Sequence, residues 1–283
     1  MSESRTPSLQ KFDPQLLIRL KSALIMGFLV LGCVFAGSVY FIAFVMFLAW
    51  MSVREWNKMV EPDAPNVALN VFQILAVSVI LGSTVLKLPS QALILALGSG
   101  FLITTISIFL KCQHPFRMGF GFVYVAYALS TLLWLRLYQD IGIYLLLMVL
   151  LMIWASDSLA YFIGKYVGGP KLAPKISPKK TWSGLFGSCL GASLLLVGMS
   201  SSTILQLFNI ENALAPWFIM VIFGCVMGVL GQVGDLIISQ VKRHYNLKDT
   251  GTLIPGHGGI LDRIDALIFV TPLFAAFVWV LLL

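Results

Sequence analysis

Asp157, Asp235, Asp262 and Asp265 fall within or at the ends of long apolar runs, where carboxylates are expensive. An ionised aspartate at the centre of a bilayer costs about 3 kcal/mol or more unless it is paired or binds a cation, so each is a candidate for chemistry. Asp235, Ser239 and Lys242 stand at i, i+4 and i+7, along one face of a helix. At 1.5 Å per residue, Asp235 lies roughly 10 Å below the end marked by Lys242. Asp157 lies about 12 Å below Lys165 by the same arithmetic, on the face of Tyr161 and Lys165. Asp262 enters from the polar segment that follows Lys242, so three carboxylates can meet in one cavity. For any single aspartate, an ion pair with a neighbouring lysine is the plainer explanation. Several carboxylates beside phosphate-binding loops suit a divalent cation better, and magnesium is usually held by one or two carboxylates plus phosphates and water. Cys33, Cys112, Cys189 and Cys225 lie far apart, mostly in apolar runs, and read as small core residues. Neither they nor His114, His244 and His257 have zinc spacing.

Two polar loops add positive charge and glycine. Residues 165–182 hold Lys165, Lys171, Lys175, Lys179 and Lys180 among prolines and glycines, with Ser177 and Thr181 between them. Backbone donors and ammonium groups in a shaped loop suit a triphosphate or a lipid phosphate. An ordinary solvated basic loop is the simpler alternative. The second stretch, Ser239 to Asp265, carries Lys242, Arg243, Lys248 and Asp249, then Gly256-His257-Gly258-Gly259 and Asp262-Arg263-Ile264-Asp265. Its glycines let the backbone approach a ligand closely. It lacks the glycine-lysine-serine or glycine-lysine-threonine of a Walker phosphate loop. A lone histidine such as His257 more often satisfies local hydrogen bonds than it acts on a ligand.

These residues need a scaffold, and composition sets its class. The chain is 59% hydrophobic and 11% charged, with mean hydropathy +0.92, against roughly 25% charged residues in a soluble domain. The unbroken apolar runs exclude the ten-residue alternation of a membrane barrel. The expected fold is therefore all-α: a polytopic transmembrane bundle of about nine spans without a soluble domain. Spans are expected near 22–37, 38–53, 69–86, 90–110, 118–135, 140–164, 183–205, 215–240 and 264–283. Residues 22–53 could form one long helix or a tight hairpin. Residues 1–15 form a polar tail without signal-peptide features; 16–283 is one membrane-embedded domain, with a catalytic core at about 150–270.

With the amino terminus inside, 17 of the 19 lysines and arginines fall on the cytoplasmic side and only Lys87 and Arg136 fall outside. The positive-inside rule favours that orientation and puts both polar loops in the cytoplasm. The net charge of +7 is carried in loops beside spans, without a nucleic-acid-binding motif, so anionic membrane lipids rather than nucleic acid are the expected partners. Gly184, Gly187 and Gly191 make a small-residue face on the seventh span, for packing inside one subunit or for a homodimer seam.

The stretch Ser239, Val241, Lys242-Arg243, Lys248-Asp249, Gly251, Ile254-Pro255, His257-Gly258-Gly259-Ile260 and Asp262-Arg263-Ile264-Asp265 resembles the signature of the CDP-diacylglycerol synthases, or phosphatidate cytidylyltransferases. Asp157 to Lys165, Pro174 to Thr181 and Gly234-Asp235-Leu236 resemble that family's other blocks. The likeness is strong from about 150 to 270; earlier it rests on hydropathy and the Glu55-Trp56 pair. Ser183 departs from it, since many relatives carry glutamate or glutamine there. The resemblance implies a magnesium-dependent transfer of the cytidylyl group of CTP to phosphatidic acid, giving CDP-diacylglycerol and pyrophosphate in phospholipid synthesis. It implies Asp235 and Asp262 as metal carriers, with Asp157 a further candidate and a second cation an option. Lys179, Lys180, Ser177 and Thr181 are expected on CTP phosphates or the leaving pyrophosphate. Lys242, Arg243, Lys248 and Arg263 are expected on the lipid head group or a nucleotide phosphate, and Asp265 is expected to orient Arg263 or Lys248. Ser158, Lys165, Ser239, Asp249, His257, Gly258 and Gly259 complete the expected substrate contacts. If the source is bacterial, the enzyme is expected in the inner (cytoplasmic) membrane. A CTP-dependent lipid kinase of the dolichol or phytol type is the alternative, followed by a secondary transporter. Against transport, the polar residues cluster at one membrane face and the halves show no repeat.

Overall fold

The structure, a computed structural model, describes residues 14–62, 67–86, 89–138, 140–207 and 215–282. The expected tail lies outside the described residues as far as position 13, as does Lys87. The elements are α1 (Pro14–Phe35), α2 (Ser38–Val60), α3 (Val67–Val85), α4 (Pro89–Phe109), α5 (Pro115–Leu137), α6 (Gly142–Tyr166), β1 (Lys171–Ala173), β2 (Ser177–Thr181), α7 (Trp182–Met199), α8 (Ser202–Leu207), α9 (Trp217–His244) and α10 (Leu261–Leu282). The chain is a membrane-embedded helical bundle; among the described residues it departs from all-α at the β1–β2 hairpin and at an isolated bridge between Ile254 and Gly258.

Eight helices, α2 to α7 with α9 and α10, are long and apolar enough to cross a membrane among the described residues. The first expected span, 22–37, falls on the apolar stretch of α1, a separate helix that begins earlier, at Pro14, and ends at Phe35. The break falls at Gly37, whose φ of 119° few other residues adopt, so residues 22–53 are two helices. Three boundaries move in ways that matter. The second span runs on to Val60, the seventh stops at Met199 before a short separate α8, and α10 begins at Leu261, which places Asp262 and Arg263 on its first turn rather than in the loop.

Lipid tails are as apolar as leucine, so burial alone does not hold such helices together; close packing and hydrogen bonds do. A Cβ added to Gly187 would lie 2.6 Å from the Leu159 carbonyl oxygen, and one on Gly191 2.5 Å from that of Ala155. The small-residue face of α7 is thus closed against α6 within the subunit. Hydroxyls reinforce it: Ser156 and Ser188 share a 2.5 Å hydrogen bond, and Ser188 donates to the Gly228 carbonyl on α9 at 3.0 Å. At the opposite end of the bundle, buried Arg136 of α5 donates through Nη2 to the Val34 carbonyl of α1 at 3.0 Å. Placing a cation at a helix carboxyl terminus suits the helix dipole.

Candidate active site

Helix α9 carries its polar residues on one face near its carboxyl end, as the spacing of Asp235, Ser239 and Lys242 requires. Ser239 Oγ donates to Asp235 Oδ1 at 3.0 Å, while Lys180 Nζ from β2 meets Asp235 Oδ2 at 2.7 Å. From β2, Lys180 reaches α9 while Lys179 is exposed. Lys180 also donates to the Gln232 carbonyl at 3.3 Å. Thr181 acts locally, accepting the Gly184 amide on Oγ1 at 3.1 Å and so capping α7. Ser183, where the sequence departs from the resemblance, donates to the Gly168 carbonyl and hydrogen-bonds Thr181 at 3.0 Å, so it braces the loop.

Asp262 is buried and fully engaged. Its Oδ1 accepts from Lys242 Nζ at 2.6 Å, and its Oδ2 accepts from the Thr250 and Gly259 amides at 2.7 and 3.0 Å, with Thr250 Oγ1 at 3.0 Å. The 249–262 turn is therefore folded around this carboxylate. Its glycines serve that packing: a Cβ at Gly258 (φ 85°) would fall 2.7 Å from Asp262 Oδ2, and one at Gly259 2.5 Å from Glu55 Oε2. At these two positions the backbone approaches carboxylates of the protein, where the sequence suggested approach to a ligand.

Asp157, Asp235, Asp249, Asp262 and Asp265, with Lys242 and Arg263, line a polar cavity of about 300 Å³. A second cavity of about 570 Å³ adjoins it. Its walls are aliphatic and aromatic residues of α1, α2, α5, α6 and α10, including Met26, Phe44, Phe47, Leu132, Leu150 and Trp154. Asp157, Arg263 and Asp265 line both cavities and form the wall between them. The side chains of Asp157 and Arg263 make no hydrogen bond or ion pair to another described residue; Asp265 Oδ1 accepts only from the neighbouring Ala266 amide, at 2.8 Å, and pairs with neither Arg263 nor Lys248. His257, at the mouth of the apolar cavity, shares a 2.7 Å hydrogen bond through Nδ1 with Ser22 of α1.

Other expected residues lie outside the cluster. Arg243 donates to the Ile176 and Leu247 carbonyls and so ties the hairpin to the end of α9. Lys165 stands over the rings of Tyr161 and Tyr166, and Ser158 and Lys248 are exposed.

The residue whose role sequence reasoning missed is Glu55, noted there only as part of the Glu55-Trp56 pair. Carried on the extension of α2, it accepts from the Ile260 and Leu261 amides at 2.9 Å each and from Thr250 Oγ1 at 3.0 Å. Two signals were available: a carboxylate just past an apolar run, and its pairing with Trp56.

Every donor lining the polar cavity that could take a metal is a carboxylate oxygen, the chemistry magnesium prefers. Among the described residues no three His, Cys, Asp or Glu side chains gather closely enough to enclose an ion alone.

The model of the cytidylyltransferase family matches residues 17–281. A phosphatidate cytidylyltransferase of Brucella abortus (strain 2308) is 32% identical over 257 residues, 88% of each chain. One of Rickettsia felis is 40% identical over 153 residues, 54% of this chain and 66% of its own. One of Bacillus subtilis (strain 168) is 35% identical over 182 residues, 63% of this chain and 65% of its own.

Proposed function

The chain belongs to the cytidylyltransferase family, and from that premise we propose that it transfers the cytidylyl group of CTP to phosphatidate, forming CDP-diacylglycerol and pyrophosphate. The observation that carries this reading is the wall shared by the two cavities: one side fits acyl chains, the other fits charged phosphates, and Arg263 faces both.

In this reading the acyl chains occupy the apolar cavity and the lipid phosphate reaches the wall, where the Arg263 guanidinium can hold two of its oxygens. The triphosphate enters the polar cavity, and Lys180 and Lys242 exchange their carboxylate partners for phosphate oxygens. Lys179 is exposed, Thr181 caps α7 and Lys180 already meets Asp235, so we assign Lys180 the main contact from the hairpin. A lipid phosphate oxygen attacks the α-phosphorus of CTP, the bond from that phosphorus to the bridging oxygen breaks, and pyrophosphate leaves with the bonding electrons. The attacking oxygen is already ionised, so no general base is required. Both reactants are anions, and holding them in line while screening their repulsion supplies most of the catalysis. Asp235 and Asp262 would hold Mg2+, completed by phosphate oxygens and water, with Asp157, Asp249 and Asp265 as oxygen donors to a second cation. When bound, the metal adds the charge screening that the lysines alone leave incomplete.

Seventeen of nineteen basic residues placed on one side by the span order support a site facing the cytoplasm, and in a bacterial cell the membrane would then be the inner one. A homodimer would pair through faces other than the α7 glycines, which α6 covers. The names of the relatives favour cytidylyl transfer over a lipid kinase or a transporter.

Purified protein with Mg2+, phosphatidate and CTP labelled in the cytosine tests the assignment. Label entering lipid, with one pyrophosphate released per lipid labelled, is the expected result. Release of labelled CDP with a lipid alcohol as acceptor would establish a kinase instead, and absence of lipid-dependent turnover with either acceptor would reject both enzymes.

A further inference from the structure

We infer that Glu55 is a positioning residue for this reaction: from α2 it fixes the 250–262 turn so that Asp262 presents Oδ1 to the polar cavity, a role that rests on the functional reading above. The donors around Glu55 are mostly backbone groups. The first amides of a helix have no partner within it, and those of Ile260 and Leu261, at the start of α10, are taken by the two oxygens of a carboxylate about 200 positions away in the chain. No lysine or arginine pairs with Glu55 among the described residues. Its charge is held by amides at the positive end of α10 and by the Thr250 hydroxyl. Gly251 and Gly259 shape the space: a Cβ on either would lie 2.8 Å or less from a Glu55 oxygen.

Glu55 and Asp262 are linked through Thr250. Its Oγ1 lies 3.0 Å from Glu55 Oε2 and 3.0 Å from Asp262 Oδ2, and a hydroxyl has one proton to donate. The two carboxylates therefore share one donor. Each also holds two amides of the same turn, Ile260 and Leu261 on Glu55, Thr250 and Gly259 on Asp262. With Oδ2 held in this way, Oδ1 is the oxygen left to face Lys242 and the cavity.

The base of this arrangement is rigid. Beside Glu55, Trp56 donates through Nε1 to the Arg117 carbonyl at 2.9 Å. Further along α2, just past its end, Glu61 accepts from the Gln113 and His114 amides at 3.0 Å each, at the start of α5. Helix α2 thus finishes with two glutamates that hold the first turns of two other helices, and one of those helices carries the catalytic carboxylate.

The test compares full-length Glu55→Ala, Glu55→Gln and Thr250→Val with the wild-type protein in detergent. Displacement of a catalytic group by about 1 Å costs on the order of 100-fold, so Glu55→Ala should lower kcat about 100-fold and change the KM for phosphatidate less than about threefold. It should also raise the Mg2+ concentration needed for half-maximal rate. Glu55→Gln keeps one amide-accepting oxygen and should recover about tenfold of that loss. Thr250→Val should fall between the two. Hydrogen exchange of amides 250–262 should quicken in Glu55→Ala while those of α6 and α7 stay unchanged. Folded Glu55→Ala with kcat within threefold of wild type would overturn the inference, as would unchanged exchange at 250–262. So would a loss of kcat that Gln does not relieve and that leaves the Mg2+ dependence unmoved. Lipid labelling by the wild-type protein reports separately on the functional reading; were it absent, the exchange comparison would still decide whether Glu55 holds the turn.

Discussion

The apolar cavity holds about 570 Å³ and draws its walls from five helices, whereas the polar cavity holds about 300 Å³ and concentrates five aspartates, a lysine and an arginine from α6, α9, α10 and the loop before α10. In the first, the walls are interchangeable aliphatic and aromatic surface, and a lost methyl group is replaced by lipid. In the second, Lys242 is matched to buried Asp262, so removing either leaves an uncompensated buried charge, while Lys180 reaches from β2 to the more exposed Asp235. The difference predicts that substitutions around the polar cavity act on turnover and on CTP, and those around the apolar cavity act on the lipid alone.

The strongest challenge to this division is Asp235→Asn, which keeps the shape and removes the charge. It should lower kcat about 100- to 1,000-fold while the variant elutes and melts like the wild type; near-normal turnover would remove Asp235 from the chemistry. Lys180→Ala should be next, lowering kcat/KM for CTP about 30-fold, the worth of a charged hydrogen bond of about 2 kcal/mol. Its KM for phosphatidate should not move, and titrating each substrate in turn checks this. Arg263→Ala, on the shared wall, should raise the KM for phosphatidate about tenfold; an effect confined to CTP would place the lipid phosphate elsewhere. Gly27→Leu projects into the apolar cavity from α1, where a Cβ meets nothing within 4 Å. It should cost about fivefold with long-chain phosphatidate and almost nothing with a short-chain form. Ser22→Ala, which removes the contacts of α1 with His257 and with the Pro255 carbonyl, should change the rate about twofold, as expected for hydrogen bonds at a partly exposed site.

The two cavities also differ in how far the sequence reveals them. Asp157, Asp235 and Asp262 stand out because charge in an apolar run is costly, and the spacing of Asp235 and Ser239 places both on one face of α9, where the structure finds them bonded. The apolar cavity has no such signature. Met26, Phe44 and Leu150 look like any lipid-facing residue, and only the path of α1 and α2 shows that they enclose a space. Glu55 escaped for a related reason. An apolar run that ends at Val53 hides the helix's continuation to Val60, and the groups that Glu55 holds are mostly backbone amides, which carry no sequence identity. The direction of Lys180 and Lys179 depended on a hairpin within a loop that composition alone left shapeless.

The claim that two cavities divide two substrates is tested most directly by one crossed experiment. Michaelis constants for CTP and for long-chain phosphatidate are measured on the wild-type protein, Lys180→Ala and Gly27→Leu. The expected result is crossed: Lys180→Ala raises only the CTP constant, and Gly27→Leu raises only the phosphatidate constant. If either substitution raised both constants together, the two cavities would be a single binding site and the division of substrates between them would be wrong.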